Sequence, residues 1–302
     1  MVEDIPVVVM NVDHLVAGLS GGLVSTLVVH PLDLIKVRYA VNEGNASIRP
    51  QYASYFSLLR TVVRERGVRG LYQGAAPNLI GNTASWGLYF LFYNALKDYM
   101  KEGGQQVLSP GHHMAAGVIA GTATLSVTNP IWVMKTRLCL QYEQHNRQYS
   151  GLSDALVKTY KEGGIRAWYK GFLPGVVGTS HGAVQFMAYE ELKKYSRTQR
   201  QYESRTEFLG TLDYILYAAT SKAFATSLTY PYQVVRARLQ DQHVRYTGSI
   251  HVIKTLWRGE GVVGFYKGLL PSLIRVTPAT AVTFLVYENV RHFLSLRSTS
   301  PR

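Results

Sequence analysis

One cysteine, Cys139, in 302 residues excludes an internal disulfide framework and a thiolate zinc cluster. Acidic residues are scarce as well. Nineteen Asp and Glu against 32 Lys and Arg leave a net charge of +13 and a pI near 9.7. That balance points to anionic partners: nucleic acid, phosphorylated small molecules or acidic lipid. It also fits the basic loops and headgroup contacts of a membrane protein. The chain shows no nucleophile beside a base, no metal-ligand spacing and no phosphate-cradling glycine loop. An enzyme is therefore the least favoured class, and His30, directly before Pro31, reads as a helix-packing residue and not a catalytic one. Residues 1–13 are acidic and lack the arginine-rich amphipathic pattern of a transit peptide, so no cleaved leader is expected.

A mean hydropathy of −0.02 does not exclude a membrane protein whose helices are apolar on one side and line a wet path. The runs His14 to His30 and His112 to Thr128 hold no Lys, Arg, Asp or Glu. They reach the lower end of the ~17–25 residues that span a bilayer.

The chain repeats itself. Pro31-Leu-Asp33-Leu-Ile-Lys36-Val-Arg38 returns as Pro130-Ile-Trp132-Val-Met-Lys135-Thr-Arg137 and as Pro231-Tyr-Gln233-Val-Val-Arg236-Ala-Arg238. Tyr52, Tyr149 and Tyr246 stand 97 residues apart, as do Gly74, Gly171 and Gly268, and Pro77, Pro174 and Pro271. Such a fixed period marks an array of homologous units, expected at 1–104, 105–204 and 205–302. Each unit reads as a long helix, a polar loop, a short amphipathic helix and a second long helix. In the first unit these run from about His14 to Val41, Tyr55 to Arg66 and Ala75 to Met100; the later units place long helices near His112–Gln141, Leu173–Arg197, Leu212–Gln240 and Leu270–Leu294. Six spans result, with both termini on one side. Pro31, Pro130 and Pro231 each remove a helical hydrogen bond and bend the odd spans. Asp33 with Lys36, Trp132 with Lys135 and Gln233 with Arg236 share a helix face three residues apart. A second triplet marks the even spans: Tyr93-Asn94-x-x-Lys97, Tyr189-Glu190-x-x-Lys193 and Tyr287-Glu288-x-x-Arg291.

With these motifs the chain resembles the mitochondrial carrier family along essentially its whole length. The resemblance implies an all-α membrane protein. Six transmembrane helices in three tandem repeats surround a pseudo-threefold axis, with short matrix helices and a central site exposed alternately to either side. It implies a matrix gate at Asp33, Lys36, Trp132, Lys135, Gln233 and Arg236, and a cytoplasmic gate at Asn94, Lys97, Glu190, Lys193, Glu288 and Arg291. The family pairs the acid of one unit with the base of the next. Here that leaves Asp33 to Lys135 as a salt bridge, Trp132 to Arg236 as a cation–π contact worth ~0.5–2 kcal/mol, and Gln233 to Lys36 as a hydrogen bond. Asn94 weakens the cytoplasmic ring in the same way. Glu260-Gly261 matches the family's acid-glycine step, whereas Arg66-Gly67 and Gly163-Gly164 depart from it. In the family the helix starts near these glycines hold cardiolipin phosphates, as exposed helix N-terminal amides do.

Nine residues before the three prolines lie Gly22, Gly121 and Lys222. A mid-span cation is costly and is a functional candidate; a structural ion pair or snorkelling to water are its other readings. Arg275 lies midway along the sixth span, and guanidinium pairs bidentately with phosphate or carboxylate. Gly81 and Asn82 in the second span, and Val177, Gly178 and His181 in the fourth, fall at the same depth as further substrate contacts. The glycines serve helix packing as readily as ligand space, and His181 serves packing as readily as ligand binding.

Within the family, Trp132 resembles carriers of large aromatic cofactors and nucleotides, and the segments Ser85 to Phe90, Ser180 to Glu190 and Thr229 to Gln242 resemble carriers of folate and FAD. The resemblance implies a small anionic substrate, FAD or folate, as cargo, no bound cofactor or metal, cardiolipin as structural lipid, and a monomer in the mitochondrial inner membrane, with the plastid envelope as a second location. A carrier of pyrimidine nucleotides or NAD is the alternative. A soluble basic helical-repeat protein binding nucleic acid is the alternative from another class.

Overall fold

A computed structural model describes residues 12–43, 50–102, 109–142, 148–202 and 211–298. Among them every regular element is helical: α1 (Val12–Ala40), α2 (Tyr55–Arg66), a 3-10 helix (Val68–Tyr72), α3 (Ala75–Glu102), α4 (Pro110–Cys139), α5 (Leu152–Trp168), α6 (Phe172–Thr179), α7 (His181–Tyr202), α8 (Thr211–Gln240), α9 (Ser249–Gly264), α10 (Leu269–Ile274) and α11 (Val276–Ser298). The odd spans are α1, α4 and α8, and each runs unbroken through its proline. At 1.5 Å per residue, the 29 residues of α1 extend about 40 Å, enough to cross a bilayer.

The fourth and sixth spans differ from the continuous helices expected. They are interrupted at Ser180, between α6 and α7, and at Arg275, between α10 and α11. At Ser180 the backbone amide reaches back only three residues, to Val177 O. The Thr179 and Ser180 hydroxyls cap the carbonyls of Val176 and Val177, tightening the turn. Near Arg275 the cause is Pro278, which has no amide to offer the Ile274 carbonyl.

The helices close on themselves. α3 packs on α4, α7 on α8 and α11 on α1, while α1, α4 and α8 also touch one another. The turn glycines make the threefold pattern explicit. A side chain on Gly74 would collide with Cys139 Sγ and the Lys135 carbonyl of α4; one on Gly171 would meet Arg236 of α8; one on Gly268 would meet the Lys36 carbonyl of α1. Each unit's turn therefore nests on the odd helix of the next, and the third returns to the first. All three glycines have φ between 73° and 90°, where other residues are strained.

Residues just before the three prolines secure the same joint. His30 Nε2 bonds the Gln73 carbonyl at 2.8 Å, Asn129 Nδ2 donates to the Trp168 carbonyl at 2.7 Å, and Tyr230 Oη donates to the Lys267 carbonyl at 3.2 Å. Below them the last cation of each motif is buried. Arg38 donates to the carbonyls of Cys139 and Gln141. Arg137 donates to Tyr149, Thr159 and Glu162. Arg238 pairs with Glu43 at 3.0 Å and Glu260 at 2.8 Å. Burial pushes the Tyr149 hydroxyl up from its ordinary pKa, so it stays a donor to Glu162.

Core apolar clusters sit at this end, around Leu34, Leu58 and Leu140 and around Tyr230, Val234 and Leu256. Elsewhere the six rods expose large apolar side chains, among them Val28, Leu91, Ile119, Met187, Leu216 and Leu285. Apolar surface on that scale faces lipid in a spanning protein. Val16–Ala40 and Leu269–Leu294 are long and apolar enough to cross a membrane by composition alone; the other spans carry more polar residues along their length.

Candidate functional site: a cation-lined cavity above a closed gate

α1, α3 and α11 enclose a cavity of about 700 Å³ whose floor carries Asp33 and Arg275 and whose wall includes Asn82 and Trp86. A second cavity, of about 760 Å³, lies between α3, α4 and the α6–α7 span and shares Trp86 with the first. Trp86 stacks on Phe90 and meets Tyr89 edge-on. It presents a flat apolar surface to both spaces.

The sequence-selected residues divide into two sets. Arg275 and Asn82 line the first cavity, whereas Lys222 and His181 line neither. No described residue forms an ion pair with Lys222. His181 Nδ1 lies 2.9 Å from Thr229 Oγ1. The Thr229 hydroxyl donates to the Ala225 carbonyl, so His181 is the donor between them, tying α7 to α8. Gly81 and Gly178 belong to the packing set. A side chain on Gly81 would press on Ile131 and Trp132, and one on Gly178 would overlap the Tyr232 ring. Val177 is exposed and lines neither cavity.

At the gate the motif residues of α1, α4 and α8 surround a pocket of about 150 Å³. The partners differ from those the family pattern implies. Asp33 binds Arg275, at 2.7 Å, and not Lys135. Its other oxygen accepts from Asn78 at 3.2 Å, so both carboxylate oxygens are occupied, and Lys135 faces it from beyond ion-pair distance. Trp132 meets Lys135 of its own helix, 6.0 Å from ammonium to ring, and not Arg236. Arg236 instead donates to Asn129 Oδ1 at 3.3 Å, which holds its guanidinium over α4. Lys36 lies 5.7 Å from the Tyr230 ring in place of a bond to Gln233, because Tyr230 sits one turn before Gln233 and offers a larger negative face.

The opposite end is open by comparison. Among the described residues its pairs are confined to single helices, Glu190 with Lys193 at 3.5 Å and Glu288 with Arg291 at 3.8 Å. These contacts are exposed, and among the described residues no ion pair joins Lys97 to another span.

The mitochondrial carrier protein model matches residues 9–104, 106–200 and 208–298. The chain is 44% identical over 299 residues to the chloroplastic folate transporter 1 of Arabidopsis thaliana, covering 95% of this chain and 97% of the relative. It is 33% identical over 307 residues to the mitochondrial FAD carrier protein of Saccharomyces cerevisiae, covering 93% and 96%. It is 37% identical over 287 residues to the chloroplastic nicotinamide adenine dinucleotide transporter 1 of Arabidopsis thaliana, covering 92% and 90%. The three helical units, the ring they close and the thrice-repeated proline motif agree with these matches, and the chain belongs to the mitochondrial carrier family.

Proposed function

We propose that the protein moves FAD or folate across the mitochondrial inner membrane by alternating access between the two gates. The carrying observation is Arg275 on the floor of the first cavity, with Trp86 in its wall; Lys222, the mid-span cation of α8, is the second cation. The cations receive the pyrophosphate of a flavin dinucleotide or the glutamate carboxylates of a folate, and the aromatic wall receives the ring system. Similarity to relatives named for folate and for FAD supports this choice of cargo. Similarity to NAD transporters supports a second reading, since NAD offers the same pyrophosphate beside a flat ring. Relatives named for chloroplasts keep the plastid envelope as the second location. A monomer suffices, because one chain closes the ring. Gly67, Gly164 and Gly261, which have open space beside them, are the places for cardiolipin phosphates.

Uptake into liposomes holding the purified protein tests the reading, with FAD, folate, NAD and pyrimidine nucleotides compared as substrates and competitors. Saturable uptake of FAD or folate is expected, reduced at least tenfold by Lys222→Ala or Arg275→Ala at unchanged protein incorporation. Normal uptake by both variants removes the site; transport of NAD alone moves the cargo to the second reading.

A further inference from the structure

The gate pocket is lined by three cations from three helices, Lys36, Lys135 and Arg236, and by neither of the acids that this motif would ordinarily add there. Trp132 and Gln233 stand in those positions. The single carboxylate of the ring, Asp33, is held by Arg275 and Asn78. Among the described residues none of the three cations has a carboxylate within 4 Å, and Arg236 Nε is buried with no hydrogen-bond partner. Their other contacts are weak ones: ring faces at 5.7 and 6.0 Å and one long amide bond. Charges drawn together away from bulk water are stable only with a counter-charge or dense hydrogen bonding. At a water's share of ~30 Å³, a 150 Å³ pocket accommodates several waters or an anion of that bulk.

We propose that this pocket is an anion subsite, binding a phosphate or carboxylate group between Lys36 of α1, Lys135 of α4 and Arg236 of α8. The bound anion replaces the two missing acids and strengthens the contact of the three odd spans, which already touch one another. That the anion belongs to the cargo, as the acidic end of a cofactor reaching past Arg275, rests on the reading above. The subsite itself rests only on the three cations and on the absence of a carboxylate within 4 Å of any of them among the described residues.

Thermal unfolding of the purified, detergent-solubilised protein with inorganic pyrophosphate, against chloride at equal ionic strength, tests it. Pyrophosphate is expected to raise the unfolding temperature by several degrees. Gln233→Glu supplies an internal counter-charge: it should raise the temperature without anion and abolish the pyrophosphate shift. Lys135→Gln should cut the shift at least in half, and it carries the test alone if Gln233→Glu does not fold. Lys222→Ala, outside the pocket lining, should keep the shift. Absence of a shift in the native protein, or a full shift in Lys135→Gln, overturns the subsite, as does a shift lost in Lys222→Ala and kept in Gln233→Glu. Cofactor uptake without any pyrophosphate shift removes the subsite and leaves the carrier reading standing; a shift without uptake does the reverse.

Discussion

Replacing Asp33 by Asn removes the one carboxylate that Arg275, Lys135 and Lys36 share. The Asp33 side chain is 4% exposed and that of Arg275 38%. Breaking a fully buried pair costs about 3–5 kcal/mol, whereas exposed pairs contribute about 0–1 kcal/mol. Water at Arg275 screens part of the loss, which places Asp33→Asn at about 2–3 kcal/mol between those limits. At roughly 2–4 °C per kcal/mol for a chain of this size class, the unfolding temperature falls by about 5–10 °C. Arg275→Gln should cost less, because Asp33 then keeps Lys135 and Lys36 nearby. The double variant should show a coupling of about 1.5 kcal/mol. Cys139, the only cysteine and fully buried, makes a thiol-reactive dye a direct reporter of unfolding. Arg275→Gln proving as costly as Asp33→Asn, or strict additivity in the cycle, would refute the shared-carboxylate reasoning.

Other positions give sharper contrasts. Glu260→Gln strips Arg238 of one of two carboxylates and Lys267 of its ion pair; a loss of about 3 kcal/mol in thermal unfolding is expected. Glu288→Gln breaks only an exposed 3.8 Å contact and should change stability by less than about 0.5 kcal/mol. Gly268→Ala must hold φ near 90° with its methyl 2.7 Å from Tyr230 Oη and 2.8 Å from the Lys36 carbonyl. It should cost at least about 2 kcal/mol in the same assay, whereas Gly18→Ala, with open space around it, should be near neutral.

Much of the architecture was legible because the repeat is written in residues with strong backbone demands. Gly74, Gly171 and Gly268 are 97 apart in sequence and take the same left-handed turn in space. The amphipathic stretch Tyr55 to Arg66 became α2 with those bounds, its Ser54 capping Ser57. Same-face spacing also placed Trp132 beside Lys135, one turn on. Partners across the ring were less legible. The Asp33–Arg275 contact joins residues 242 apart, and which cation reaches the carboxylate depends on packing depth, which spacing does not encode. For the same reason the partner of His30, itself readable as a packing residue, was not legible, nor were the roles of Asn129 and Tyr230. Their identities differ, and only their common position before proline hinted that each ties the odd span to the turn beyond. Arg38, Arg137 and Arg238 did carry a signal, as the last cation of each motif copy, and their burial explains why all three copies keep it.

The central claim is that a cavity reachable from water on one side of the ring holds the cargo beside Arg275. Asn82→Cys in a Cys139→Ser background places one thiol on that cavity's wall. Its rate of modification by a membrane-impermeant thiol reagent, with and without FAD or folate, measures both properties at once. Rapid labelling from the cytoplasmic side, slowed at least severalfold by the transported cofactor, is the result expected. Labelling that is absent from that side, or indifferent to every cofactor in the panel, would contradict the account.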